Sequence, residues 1–142
     1  GSVGFANFYI DTRVVDDKGR DLGPNEIGEL WLRGPACMPG YWNLPEATAQ
    51  TIENGWLKTG DLVRCDEDGY FFIVDRKKEL YISGAENVYP AEIEHVLRTH
   101  PAILEVAVIG VPDAQWGEVG KAFVVRRPGL ETNAEELADF CR

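Results

Sequence analysis

Trp56-Leu57-Lys58-Thr59-Gly60-Asp61-Leu62-Val63 runs toward a polar turn at Asp66-Glu67-Asp68-Gly69 and returns as Tyr70-Phe71-Phe72-Ile73-Val74. Two apolar runs around an acidic turn with a glycine read as a β-hairpin, with a loop longer than the tightest class. Upstream, Ile27-Gly28-Glu29-Leu30-Trp31-Leu32 reads as a strand ended by Gly34-Pro35. Phe8-Tyr9-Ile10 and Arg13-Val14-Val15 are two shorter β-prone runs, followed by the turn signal Asp16-Asp17-Lys18-Gly19. Between strand and hairpin a short helix is expected, capped by Asn43 and with Pro45 in its first turn. The first half is therefore a β-rich lobe.

After Val74 the character changes. Asp75-Arg76-Lys77-Lys78-Glu79 is five charges in a row, which predicts an exposed connector and a boundary, with lobes at 1–75 and 76–142. Beyond it, Leu80-Tyr81-Ile82 and Val88-Tyr89 flank a turn at Ser83-Gly84-Ala85-Glu86-Asn87. Pro90 opens a helix carrying Ile93, Val96 and Leu97 at helical spacing. Ile103 to Val111 and Ala122-Phe123-Val124-Val125 are strands rich in branched residues. Thr132-Asn133-Ala134-Glu135 fits a capping box for a last helix through Leu137, Phe140 and Cys141, which is expected to break off at Arg142. The second lobe reads β-β-α-β-β-α, a small α+β or ferredoxin-like arrangement, and the fold class is α+β.

Composition narrows the functions. The chain has 142 residues, the range of one domain or two small lobes. Its net charge of −10 argues against nucleic acid, which needs a concentrated basic face. No apolar run approaches the roughly eighteen residues of a membrane span, and Gly1-Ser2-Val3-Gly4 does not read as a signal peptide. Cys37, Cys65 and Cys141 are widely spaced and odd in number, which fits free thiols in a reducing, cytoplasmic setting. His95 and His100 have no neighbouring cysteine or second histidine pair, so no metal site is assigned.

Two constellations carry chemistry. Lys58-Thr59-Gly60-Asp61 puts a carboxylate beside a glycine, which allows a vicinal diol such as a ribose to approach the backbone. The same four residues also describe a tight turn with an exposed aspartate. Arg76 stands at the far end of the return strand, so the hairpin brings it to the same end as Asp61. Its guanidinium could contact phosphate or ribose oxygens, or close a surface ion pair worth about 0–1 kcal/mol. Residue patterns alone leave both pairs of alternatives open. Tyr41 and Trp42, beside Gly40, are expected to pack the lobe's own core. Glu92 and Glu94 suit the start of the helix opened by Pro90, and Trp116 begins a turn.

Gly28-Glu29-Leu30-Trp31-Leu32-Arg33-Gly34 with Gly40-Tyr41-Trp42 resembles one signature of the adenylate-forming (AMP-binding) superfamily. Gly55 through Leu62 matches a second signature, and Asp75 through Glu94 a third. Gly110-Val111-Pro112-Asp113 and Trp116-Gly117-Glu118 continue the match, so the resemblance covers essentially the whole chain. The run Ser83 to Pro90 is similar to the branch of acyl-CoA synthetases acting on fatty or aryl acids.

The resemblance implies that residues 1–75 are the β-rich last subdomain, a distorted barrel, of a large AMP-binding domain. Residues 76–142 would be most of a small mobile C-terminal domain. It implies ATP and CoA as cofactors, a small-molecule carboxylic acid as substrate, and magnesium in the intact enzyme, with no ligand for it identified in this sequence. Asp61 would bind the ribose hydroxyls, Ile73 would pack near the nucleotide and Arg76 would reach ribose or phosphate oxygens. Lys78 would be the hinge between two half-reactions, and Ser83, Gly84 and Ala85 would line the pantetheine channel. Ala85 departs from the glycine of many relatives. The family's Gly/Ser/Thr-rich phosphate loop and its C-terminal catalytic lysine have no counterpart here, since Lys121, after Gly120, opens a mid-lobe strand. No catalytic residue is assigned, and the chain by itself is expected to be inactive as a synthetase. The alternative is a non-catalytic interaction or regulatory module derived from the same fold.

Overall fold

The computed structural model describes residues 1–141, and Arg142, where the last helix is expected to break off, lies outside them. The chain is mixed α+β and strand-rich, with a curled half-barrel sheet. It divides into two compact units, Gly1–Lys77 and the residues from Lys78 on.

The first unit is an antiparallel sheet of β1 (Asp11–Val15), β2 (Ile27–Arg33), β3 (Ile52–Glu53), β4 (Trp56–Cys65) and β5 (Phe71–Arg76), with helix α1 (Pro45–Thr51) before β3. The order is β1-β2-β4-β3, and β5 also pairs with β4. Leu57 faces Leu32 on one side and Ile52 on the other, while Leu62 faces Glu29 and Asp75, so β3 and β5 share one side of β4 at opposite ends. Val15 and Val63 are fully buried beside Leu62 and Phe71. Burying each such side chain contributes about 1.5–3 kcal/mol. The hairpin loop is organised by Asp66, whose Oδ1 accepts from the amides of Asp68 and Tyr70.

Several expectations shift. Phe8-Tyr9-Ile10 forms no strand: the Asn7 side chain accepts from the Tyr9 amide and its carbonyl from Ile10, closing a turn that leaves Phe8 93% exposed. Asn43 does not cap α1. It sits at φ 53 in the turn before the helix, and Leu44 holds the cap position without a side-chain bond. Tyr41 and Trp42 do not pack the core, since both rings are exposed beside that turn. The charged run after Val74 is not all connector: β5 carries on through Arg76, and Asp75 is buried, with its carboxylate accepting from the Arg76 amide.

In the second unit β6 (Tyr81–Ser83) and β7 (Glu86–Val88) form a hairpin, followed by α2 (Pro90–Arg98), β8 (Ile103–Asp113), β9 (Gly117–Arg126) and α3 (Ala134–Phe140). The sheet order is β7-β6-β9-β8 with every pairing antiparallel. That is the α+β outcome, built from the direct hairpins β6–β7 and β8–β9 instead of the split βαβ connections of a ferredoxin-like sheet. Tyr81, Leu97, Ile103, Val106 and Val108 make the core, with Ile93 and Leu137 packed on it from the helices. The Tyr81 ring lies across the cross-strand pair Gly110–Gly120, where no side chain could share the space. The α3 cap falls one residue later than expected: Asn133 Oδ1 accepts from the Glu136 amide, and the Thr132 hydroxyl bonds the Glu136 carboxylate.

Candidate functional site

The first unit's candidate site grows out of an irregularity in β4. Lys58 pairs with Trp31 and Leu62 with Glu29, so Leu30 alone faces Thr59, Gly60 and Asp61. Two extra residues must leave the ladder there, and Gly60 takes φ 72, a conformation glycine adopts without steric cost. Several polar groups around the bulge are bonded to neighbouring strands or to one another. The Thr59 hydroxyl donates to the Leu30 carbonyl at 2.7 Å and accepts from the Asp61 amide at 3.1 Å. The Gly60 amide donates to Glu29 Oε1 at 3.2 Å, and the Gly60 carbonyl accepts from the Lys77 amide at 2.8 Å.

This bulge aims Asp61 at β5. Asp61 pairs with Arg76 in the ladder, and Arg76 Nη1 lies 2.8 Å from Asp61 Oδ1. Both groups keep contact with solvent, the arginine more than the aspartate. An exposed pair of this kind contributes little to stability, about 0–1 kcal/mol. A carboxylate has about four lone-pair sites, so Asp61 retains acceptor capacity for a diol while bonded to arginine. Ile73 sits three residues before Arg76 on β5, opposite Val63, and is exposed.

Glu29 and Lys77 brace this arrangement, and neither stands out as functional in the sequence. Glu29 is 7% exposed, and Lys77 Nζ lies 3.1 Å from Glu29 Oε2 and 3.1 Å from Asp17 Oδ1. Partial burial works against the Lys77 ammonium, but the bonds from Asp17 and Glu29 outweigh it and carry its pKa above the ordinary lysine value. The available signal was a lone carboxylate inside the apolar run Ile27 to Leu32, which needs a partner if it is buried. A cleft of about 610 Å³ backs onto Lys58, Thr59 and Gly60 and reaches Glu29 and Lys77. Asp61, Ile73 and Arg76 do not line it.

The other candidate residues lie in the second unit. Lys78 is its first residue and is exposed. Ser83 ends β6, and Gly84 and Ala85 form a two-residue turn at φ 58 and 74. Positive φ at both central positions is the type I′ geometry that suits the twist of a hairpin. The Gly84 amide donates to the Trp116 carbonyl at 2.9 Å, and a Cβ on Gly84 would lie 2.7 Å from the Trp116 ring. Trp116 therefore packs against the hairpin tip, while its own amide and that of Gln115 bond Asp113 in a turn. Lys121 is mid-strand in β9, paired with Ile109. His100 is buried, with Nδ1 accepting from the Ala102 amide and the ring edge-on to Phe140.

Among the described residues no three His, Cys, Asp or Glu side chains converge to hold a metal. Nor is any described helix long and apolar enough to cross a membrane.

Residues 1–42 match the family model for the AMP-binding enzyme, and residues 92–142 match that for the AMP-binding enzyme C-terminal domain. A feruloyl-CoA synthase of Amycolatopsis sp is 47% identical over 142 residues, which is 100% of this chain and 29% of that protein. A long-chain-fatty-acid–CoA ligase of Yersinia pestis is 48% identical over 142 residues, 100% of this chain and 25% of its own length. Among solved structures, the o-succinylbenzoate CoA synthetase of Bacillus subtilis in complex with its acyl-adenylate intermediate superposes with a TM-score of 0.91 at 42% identity, covering 99% of this chain and 28% of that one. The chain thus spans between a quarter and a third of the length of these relatives.

Proposed function

We propose, from the premise that this chain belongs to the AMP-binding enzyme family, that the intact protein is an AMP-forming acid–thiol ligase. In the first half-reaction a carboxylate oxygen attacks the α-phosphorus of ATP, the bond to the β-phosphate breaks and pyrophosphate leaves. In the second, the sulfur of CoA forms a bond to the acyl carbon, the carbon–oxygen bond to AMP breaks and the thiol proton is lost. A fatty or aryl acid is the substrate class this reading favours.

The observation that carries the proposal is the Asp61–Arg76 pair, presented beside a bulge that Thr59 and Glu29 bond to β2. In this reading Asp61 accepts from the two ribose hydroxyls, Arg76 contacts ribose or phosphate oxygens and Ile73 covers the nucleotide. Lys78 serves as the hinge, and Ser83, Gly84 and Ala85 line the path of the pantetheine arm. Residues 1–75 act as the last subdomain of the ATP-binding domain and 76–142 as the mobile domain that turns between half-reactions. A charged, exposed residue such as Lys78 can change its backbone angles without disturbing a core. A cytoplasmic, reducing setting belongs to the same proposal, supported by the free thiols of Cys37, Cys65 and Cys141. A purely interacting module would have no use for a braced, solvent-accessible Asp–Arg pair.

The test is ATP-dependent thioester formation by the intact protein with CoA and a panel of fatty and aromatic acids, beside an Asp61→Ala variant. Thioester that disappears or demands far more ATP in the variant supports the reading. A folded intact protein inert across the panel defeats it. The chain by itself is expected to release no pyrophosphate from ATP with the same acids, and turnover there would refute that part.

A further inference from the structure

Glu29 is a buried carboxylate with bonds to strand β4 and to the residue that follows β5. Oε1 takes the amide of Gly60, the residue before Asp61, and Oε2 takes the ammonium of Lys77, the residue after Arg76. The Gly60 carbonyl and Lys77 amide are themselves bonded at 2.8 Å. One side chain thus ties together the neighbours of both residues assigned to the nucleotide. Its carboxylate is more buried than that of Asp61, which strengthens a charge-assisted bond, although Lys77 keeps contact with solvent and also pairs with Asp17.

We propose that Glu29, with Lys77, is a positioning residue for ATP: it fixes the bulge that presents Asp61 and the strand end that presents Arg76, without touching the nucleotide itself. The inference rests on the reading of Asp61 as a ribose ligand. Without the Glu29 bond the Gly60 amide loses its partner on β2, and glycine's wide conformational range lets the bulge sample other shapes. Asp61 would then be ordered only when the nucleotide arrives, and that ordering weakens binding. Glutamine at position 29 keeps an acceptor for the Gly60 amide but loses the charge that faces Lys77. Alanine loses both.

The experiment uses the intact protein with Glu29→Gln, Glu29→Ala and Lys77→Met, each alone and combined with Asp61→Ala. Steady-state kinetics are read together with hydrogen–deuterium exchange of peptides spanning residues 57–62. Glu29→Ala is expected to speed exchange in those peptides and to raise the KM for ATP by about tenfold, the scale of one lost bond to a charged group. The KM for the acid should stay within about twofold, since no acid contact is involved. Glu29→Gln and Lys77→Met should give smaller shifts in the same direction, and Glu29→Gln keeps the test open if the alanine variant fails to fold. In the Asp61→Ala background the Glu29 changes should raise the KM for ATP by less than they do alone, because the part of their effect that passes through Asp61 is already lost. Unchanged exchange over 57–62, or a full additive effect in that background, overturns the proposal. Faster exchange with no ATP effect from either Glu29 or Asp61 variants supports the bracing of the bulge and overturns the ribose assignment instead.

Discussion

Arg76 Nη1 and Asp61 Oδ1 lie 2.8 Å apart at the open end of the β4–β5 ladder, on residues paired directly with each other. Such a contact holds a carboxylate and a guanidinium in register at almost no gain in stability. Asp61→Ala and Arg76→Ala should therefore change unfolding free energy by about 1 kcal/mol or less. In the intact protein the same variants should raise the KM for ATP by about tenfold or more, on the scale of lost charge-assisted bonds. Denaturant unfolding and steady-state kinetics on one preparation separate the two effects.

Ala85 holds φ 74, where its methyl group is crowded by the backbone. Ala85→Gly should raise stability by about 0.5–1 kcal/mol, because relief of that crowding exceeds the extra freedom glycine has when unfolded. A thermal scan of both proteins checks the sign.

The neighbouring turn residue predicts the opposite. A Cβ at Gly84 meets the Trp116 ring at 2.7 Å and also requires φ 58. Gly84→Ala should cost about 1–3 kcal/mol. Adding Trp116→Ala should recover the part due to contact and leave the part due to backbone conformation, a coupling that a double-mutant cycle measures.

Asp16 accepts from the Arg20 amide and guanidinium and from the Lys18 amide, and these bonds lower its carboxyl pKa to about 2. The folded pKa lies below the unfolded one. Its contribution to stability is therefore fully present above about pH 4, and is lost as the pH falls through about 2. A carbon-detected NMR titration should find a midpoint near 2 for Asp16, and Arg20→Ala should move it upward. A midpoint at the ordinary aspartate value would show that the turn does not hold the carboxylate.

The fold was legible where hydrophobic period and turn chemistry agreed. The β4–β5 hairpin and the β-β-α-β-β-α order of the second unit follow from apolar runs separated by Gly, Asp and Pro signals. So does the meeting of Asp61 with Arg76, which requires only that the hairpin pair in register. What escaped was decided by contacts between segments distant in sequence or by competition at a turn. Asp75 reads as part of an exposed charged run, yet β5 carries it into the interior. Phe8-Tyr9-Ile10 has strand propensity, yet Asn7 bends it. Glu29 became visible as a brace only once Gly60 and Lys77 were brought to it from 31 and 48 residues away.

The bulge in β4 also sets a rule about spacing. It inserts two residues, an even number, so the side-chain alternation of β4 stays in phase with β2 on both sides of it. Substitutions between Lys58 and Leu62 test individual contacts. Removal or insertion of a single residue there is a different kind of change, because it reverses which way every later side chain of β4 points. Losing one residue would carry Arg64 toward the place that Val63 holds at 0% exposure. The length of this stretch is as much a part of its design as the glycine at position 60.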